Sequence, residues 1–307
     1  MPADVSLGEL SNLLIYSAMA VYALAMVGYA LDSALAARLA PLAPRPALAG
    51  AAITPSRPER PGRVATSLTG LAFVLHASAV VLRAAAAGRV PWGNMYEFAT
   101  TGALAATAAY LFFLRRYPLR DLGAWVVGVV LLTLGLSVTV LYTPAGDLVP
   151  ALDSYWLVIH VIAAIVSGGI FTVGALTAVL FLLRLRADRR AASGRPVRYG
   201  GRFPSAATLE RVVHVTHLFA FPLWTFAIMA GAIWAENAWG RYWGWDPKEV
   251  WSFITWVLYA AYLHAQATAG WRGRRATWFV MAGYVAFVFN FFGVNMWITG
   301  LHSYAGL

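Results

Sequence analysis

The chain has 307 residues, of which 60% are hydrophobic and only 12% charged, where an ordinary soluble domain is about a quarter charged. This excludes a water-soluble globular protein, and the absence of cysteine excludes dithiol chemistry and thiolate metal ligands. The net charge of +10 would suggest nucleic acid in a soluble protein, so its distribution along the chain has to be followed.

Eight apolar runs stand out, at about 11–31, 66–87, 96–114, 122–142, 155–183, 212–233, 249–268 and 277–298. Each is long enough, or nearly so, for a hydrocarbon core that takes roughly 20 helical residues. The expected fold is therefore all-α, one polytopic membrane domain over residues 1–307 with about eight transmembrane helices. The first run is too long and too weakly basic at its start for a cleaved signal peptide, and reads as a retained helix. Two longer polar segments interrupt the pattern, a linker at 32–65 rich in Pro, Ala and Arg and an Arg-rich loop at 184–211.

The basic residues orient this pattern. With the N-terminus outside, nineteen of the twenty-three Lys and Arg residues fall on the cytoplasmic side, and only Arg83, Arg89, Arg241 and Lys248 lie outside. The positive-inside rule then puts both termini on the outer face, with 32–65 and 184–211 cytoplasmic. The high charge is thus topology, and no nucleic-acid partner is needed to explain it. A patch such as "RLRADRR" also suits anionic lipid headgroups.

This layout places the stretch "WAENAWGRYWGWDPKEVWSFITW" in an outer loop, 234–250. A tryptophan belt at the membrane interface accounts for Trp125, Trp156, Trp271, Trp278 and Trp297. It accounts poorly for Trp239, Trp243 and Trp245, set close together in one short loop. Pro247 suits the first turn of the next helix, with Asp246 as its N-cap and Glu249 completing a capping-box variant.

The histidines sort by depth. His160 lies near the outer end of the fifth run and His302 follows the outer end of the eighth, so both share the face of the tryptophan loop. Haem iron takes two axial imidazoles while its flat ring needs aromatic and aliphatic walls, so a haem site at the outer surface would use all of these features. His76 and His264 fall in the inner half of the bilayer, where ionisable side chains are uncommon and read as functional; they make a second possible axial pair. His214 and His217 read as interfacial residues at the start of the sixth run.

"WGRYWGWDPKEVWSFITW" resembles the tryptophan-rich WWD signature of the haem-handling proteins of cytochrome c maturation. With "YLHAQATAGWRGRRA", "GVNMWITGLHSYAG" and, upstream, "RAAAAGRVPWGNMYEF", the likeness covers roughly residues 76–307 and is to the CcsA branch (ResC-like, labelled CcsB in some bacteria) of system II. The resemblance implies that Trp239, Gly240, Trp243, Trp245, Asp246 and Pro247 form the signature. It implies that His160 and His302 are the outer axial ligands, that His264 is a ligand of a transmembrane site, and that His76 or a histidine of another protein is its partner. Many relatives have histidine where this chain has Arg89, which could pair with a haem propionate beside Trp92.

The implied activity is stereospecific thioether attachment of haem b, held as substrate by histidine pairs, to Cys-x-x-Cys-His of an apocytochrome c. It is performed with a ResB-like membrane protein in the bacterial cytoplasmic membrane, on the extracytoplasmic face, and a separate thiol-reducing pathway prepares the acceptor. Trp239, Trp243, Trp245 and Asp246 are then the residues nearest the reaction, acting mainly by positioning. The alternatives are a haem transporter or delivery protein without ligation activity, and a bis-histidine electron-transfer subunit.

Overall fold

The computed structural model describes residues 6–39, 60–146, 152–197, 200–201 and 203–302. Among these there is no strand. Helices satisfy their own backbone N–H and C=O groups, as a chain surrounded by lipid must. In order they are α1 (Leu7–Leu39), α2 (Arg60–Ala87), α3 (Met95–Leu114), α4 (Gly123–Thr139), α5 (Tyr155–Ala192), α6 (Ala206–Trp239), α7 (Pro247–Ala267) and α8 (Arg274–Val288). The last continues through a π-helical turn, Phe289–Gly293, into the short α9, Val294–Trp297.

Helices α1 to α6 and the continuous α8–α9 rod are long and apolar enough to cross a membrane, seven spans among the described residues. The protein is a polytopic all-α membrane protein. Eight apolar runs were expected; the one that does not reach the apolarity of a span is α7. That helix covers about 30 Å at 1.5 Å per residue, but it carries Lys248, Glu249, His264 and Gln266 among its aromatics.

Helix continues into both polar segments. α1 runs to Leu39 and α2 starts at Arg60, while residues 40–59 of the linker lie outside the described residues. α5 runs to Ala192 and α6 starts at Ala206, shortening the loop between them; its residues 198, 199 and 202 also lie outside the described residues. Ala- and Arg-rich sequence has high helix propensity and prolongs helices beyond their apolar run.

Helix starts are set by local chemistry. Asn94 accepts the Glu97 N–H, Ser154 the Trp156 N–H and Ser205 the Thr208 N–H, each satisfying a donor that the helix leaves open. α6 ends on Gly240 at φ 69°, the left-handed C-terminal position that glycine takes without steric cost.

α5 is the hub of the bundle, packing on α6, α3, α8 and α4, while α1 pairs with α2 and α7 with α8. The start of α1 meets the ends of α2 and α4 through Ser11 with Ala79 and Asn12 with Tyr142. The α2–α3 and α4–α5 loops meet the end of α6, where Trp92, Leu152 and Trp234 share one apolar cluster. The described chain therefore begins and ends at the same end of the bundle, and that end carries the tryptophans.

Candidate functional site

The tryptophan segment is mostly helix. Trp234 and Trp239 lie in the last turns of α6, and only residues 240–246 are loop before Pro247 opens α7. Asp246 caps α7 by accepting the Lys248 N–H at 3.1 Å, and Glu249 accepts the N–H groups of Asp246 and Gly244 at 3.0 and 2.8 Å. The expected capping box is present. Trp245 takes φ 60°, a backbone conformation that costs a bulky residue about 1–3 kcal/mol.

Asp246 also joins two distant segments. Its Oδ2 accepts the Leu301 N–H at 2.7 Å and its Oδ1 accepts His302 Nδ1–H at 2.8 Å. Burial works to raise the Asp246 pKa, but the hydrogen bonds from His302, Leu301 and Lys248 outweigh it and hold the carboxyl at about 2. Burial pushes the His302 pKa down, partly opposed by the hydrogen bond to Asp246. At neutral pH the pair is a carboxylate and a neutral imidazole whose Nδ1 carries the proton, which puts the ring's lone pair on Nε2.

His160 is arranged in the same way. Its Nδ1 donates to the Ala227 carbonyl on α6 at 2.7 Å, which again leaves the lone pair on Nε2. Gly231 permits this approach, because a Cβ there would stand 2.7 Å from His160 Nδ1. Gly231→Val is expected to force the ring aside and destabilise the fold by about 1–3 kcal/mol. Thermal unfolding in detergent, with Ala164→Val as an ordinary packing control, measures it.

His160 and His302 open onto one cavity of about 120 Å³. Its walls include Phe98, Trp224, Trp239, Trp243, Phe287 and Phe291. Trp234 joins the two imidazoles: it stacks on His160 at 6.4 Å and 12° between planes, and lies 5.7 Å from the His302 ring. Trp239 meets His302 edge-on at 4.9 Å. No group of three or more His, Asp or Glu side chains suited to a metal converges among the described residues. The site offers instead a pair of imidazoles between aromatic walls, which suits a flat metal complex supplying its own equatorial ligands.

The remaining candidates lie elsewhere. Trp245 is 67% exposed and meets Trp243 edge-on outside the cavity. Trp92 packs behind Trp234 and Trp239, its indole N–H without a partner among the described residues. Arg89 is not on the cavity wall. Its guanidinium bonds Glu97 at 2.7 Å and the Gly146 carbonyl at 3.0 Å, while Arg83 takes the other Glu97 oxygen at 2.9 Å.

His76 and His264 are not brought together. His76 is buried between α1, α2 and α3, 3.5 Å from the Tyr22 hydroxyl, which in turn donates to Thr107. His264 is exposed on α7, whose neighbours are α6, α8 and the π turn. His217, expected at the interface, is fully buried against Phe171, Tyr259 and Tyr262. The difference arises because α6 begins at Ala206, which puts His217 about 16 Å along the helix. Asn290, a lone carboxamide in the apolar "VFNFFG" that the sequence reading passed over, lines the cavity.

The acid behaviour of the Asp246–His302 pair follows from these shifts. His302 has its pKa lowered by folding, so its contribution is present above the ordinary 6.5 and is lost as pH falls below it, where the unfolded chain takes up the proton. Asp246 has its pKa lowered too, so its contribution is present above 3.8 and is lost as pH falls towards 2. The Asp246 contribution is expected to amount to on the order of 1–2 kcal/mol, discounted for solvent screening. In thermal unfolding between pH 7 and 2, His302→Gln is expected to flatten the upper step and Asp246→Asn the lower.

A family model described as Cytochrome C assembly protein matches residues 92–302, which include both cavity histidines and the tryptophan segment. The chain is 37% identical over 238 residues to the cytochrome c biogenesis protein CcsA of Guillardia theta, covering 72% of this chain and 78% of that protein. It is 33% identical over 305 residues to CcsA of Microcystis aeruginosa (strain NIES-843 / IAM M-2473), covering 83% and 91%. Against CcsA of Chlamydomonas reinhardtii it is 33% identical over 244 residues, covering 77% and 67%. The fold is similar to that of the solved Cytochrome c Heme Lyase CcmF, with a TM-score of 0.65 at 21% identity, over 95% of this chain; the chain spans 48% of the length of that protein. The chain belongs to the cytochrome c assembly protein family and has a role in cytochrome c maturation.

Proposed function

We propose that the cavity holds haem b by its iron between His160 and His302 and presents it for covalent attachment to Cys-x-x-Cys-His of an apocytochrome c. The observation that carries this reading is the pair of imidazoles on one aromatic cavity, each with Nδ1 bound to a protein oxygen so that Nε2 is the ligating atom. The arginine distribution supports a bacterial cytoplasmic membrane topology with the tryptophan end extracytoplasmic, both termini there, and the polar segments 32–65 and 184–211 in the cytoplasm.

In attachment each acceptor S–H adds across a vinyl group of the haem: sulfur bonds one vinyl carbon and hydrogen goes to the other. The addition needs no oxidant or reductant. The chain's part is to fix the porphyrin plane through its two imidazoles and aromatic walls, to exclude water, and to leave a vinyl edge accessible; positioning of this kind can contribute about 7–11 kcal/mol. Asp246 holds His302 and the tryptophan turn in place at once, and Trp239 and Trp243 form the platform. The acceptor's own histidine replaces one axial ligand as product leaves.

A ResB-like membrane protein is the proposed partner, and a separate thiol-reducing pathway acts on the same acceptor. Exposed His264 suits a transmembrane site completed by a histidine of that partner, because buried His76 stands among other helices. Committed to Glu97, Arg89 braces the outer loops behind the cavity, with Trp92 beside it.

The test is co-expression of the chain with a ResB-like protein and a Cys-x-x-Cys-His reporter in cells lacking other maturation machinery. Covalent haem on the reporter, lost with Trp243→Ala, supports a synthase. Haem bound to the chain with an unmodified reporter points to a transporter or delivery protein. A reporter left unmodified while the chain keeps a reducible bis-histidine spectrum that Trp243→Ala does not change favours an electron-transfer subunit.

A further inference from the structure

Two polar side chains on the cavity wall belong neither to the axial pair nor to the capping box. Glu249 is committed to the capping box, and Ser252 donates to the Glu249 carbonyl. Lys248 and Asn290 remain.

Lys248 Nζ donates to Asn295 Oδ1 at 2.6 Å and stands 6.0 Å from the Phe291 ring centre. Among the described residues it makes no ion pair: the nearby Asp246 carboxylate accepts the Lys248 backbone N–H, the Leu301 N–H and His302 instead. An ammonium carries three donors, and enclosing it with one neutral acceptor is costly unless an anion arrives.

Asn290 is 6% exposed and lines the same cavity, and its Oδ1 is buried without a hydrogen-bond partner among the described residues. It sits on the π-helical turn Phe289–Gly293. That oxygen accepts, so it calls for a donor and does not itself hold an anion.

We infer that Lys248 forms a carboxylate-binding pole of the cavity, and that the carboxylate is a propionate of the haem. The inference rests on the haem reading above and deepens it. Imidazoles fix the iron and the porphyrin plane but leave rotation within that plane free. An ammonium holding one propionate restricts the rotation, and with it which vinyl group faces the acceptor. Stereospecific attachment requires that selection.

The experiment compares iron protoporphyrin IX with its dimethyl ester, which keeps the ring and iron but removes both carboxylates. Each is titrated by visible absorption into the full chain with its partner in detergent. Wild type is expected to prefer the free acid by roughly 10- to 100-fold, the range of a charge-assisted hydrogen bond. Lys248→Met is expected to bind the two porphyrins equally, with the bis-imidazole spectrum intact. Lys248→Arg is expected to retain the preference, and so is Asn290→Ala, because the unpartnered carboxamide oxygen accepts and does not hold an anion.

Equal binding by wild type, or a preference that survives Lys248→Met, overturns the proposal while leaving the haem reading in place. Loss of the ester together with the acid in Lys248→Met also overturns it, because the lysine would then be needed to hold Asn295 and the cavity wall. Binding of neither porphyrin by wild type removes the haem reading and this proposal with it.

Discussion

His160→Ala and His302→Ala are each expected to abolish the six-coordinate spectrum of haem bound in the cavity. Outer-shell partners of a metal ligand typically contribute 10- to 100-fold to affinity, so losing the ligand itself is expected to cost more than about 100-fold. The two variants should differ in one respect. His302→Ala also removes a donor to Asp246, whose other bonds to Leu301 and Lys248 hold the tryptophan turn, whereas His160→Ala leaves only the Ala227 carbonyl to be rehydrated. Free imidazole should therefore restore coordination more completely in His160→Ala. Absorption spectra of the purified variants, with and without imidazole, check both points, and His76→Ala serves as the comparison because its ring is buried away from the cavity. If haem content and spectrum are unchanged in both cavity variants, the axial pair is not there and the proposed function fails with it. His264→Ala is expected to change the spectrum only when the partner protein is present.

Glu97→Gln is expected to be the most destabilising single change at the tryptophan end. Glu97 is fully buried and takes Arg83 on one carboxylate oxygen and Arg89 on the other, while also accepting the Gly93 N–H at 2.8 Å. Breaking a buried pair by removing one partner costs about 3–5 kcal/mol, because the remaining charge is left uncompensated. Here two guanidiniums would be left. The same carboxylate ties the α2–α3 loop to the α4–α5 loop, since Arg83 reaches the Thr143 carbonyl and Arg89 that of Gly146. Glu97→Gln should therefore lower the unfolding temperature sharply and reduce the amount of folded protein recovered in detergent. Arg89→Met should cost less, because Glu97 keeps Arg83 and the net charge of the cluster becomes zero. Arg89→Met that weakened haem binding at unchanged stability would show instead that Arg89 serves the ligand directly.

Residue types and their spacing were enough for several of these features. Period and length of the apolar runs gave the helical membrane architecture, because a bilayer admits few other solutions. Asp-Pro-Lys-Glu carried its own capping box, since N-cap geometry depends on residues three apart. His160 and His302 could be matched because helix alternation returns both to the tryptophan end. The helix ends were less legible: Ala and Arg extend a helix into water without an apolar signal, so α5 and α6 ran beyond their apolar runs and carried His217 from the expected interface into the core.

The sequence by itself thus determined composition class, the helical architecture and where along the helices the histidines stand, all of which follow from local propensity and from the energetics of a lipid surround. Tertiary structure decided which of them meet. Depth alone could pair His76 with His264, but depth is one coordinate, and the packing of α2 on α1 and α3 and of α7 on α6 and α8 sets the other two. The same packing gave Asp246 to His302, Glu97 to Arg89, and left Lys248 and Asn290 facing the cavity. Hydrogen bonds and ion pairs between side chains many residues apart depend on distances of a few ångströms. Only the closed bundle fixes distances of that size.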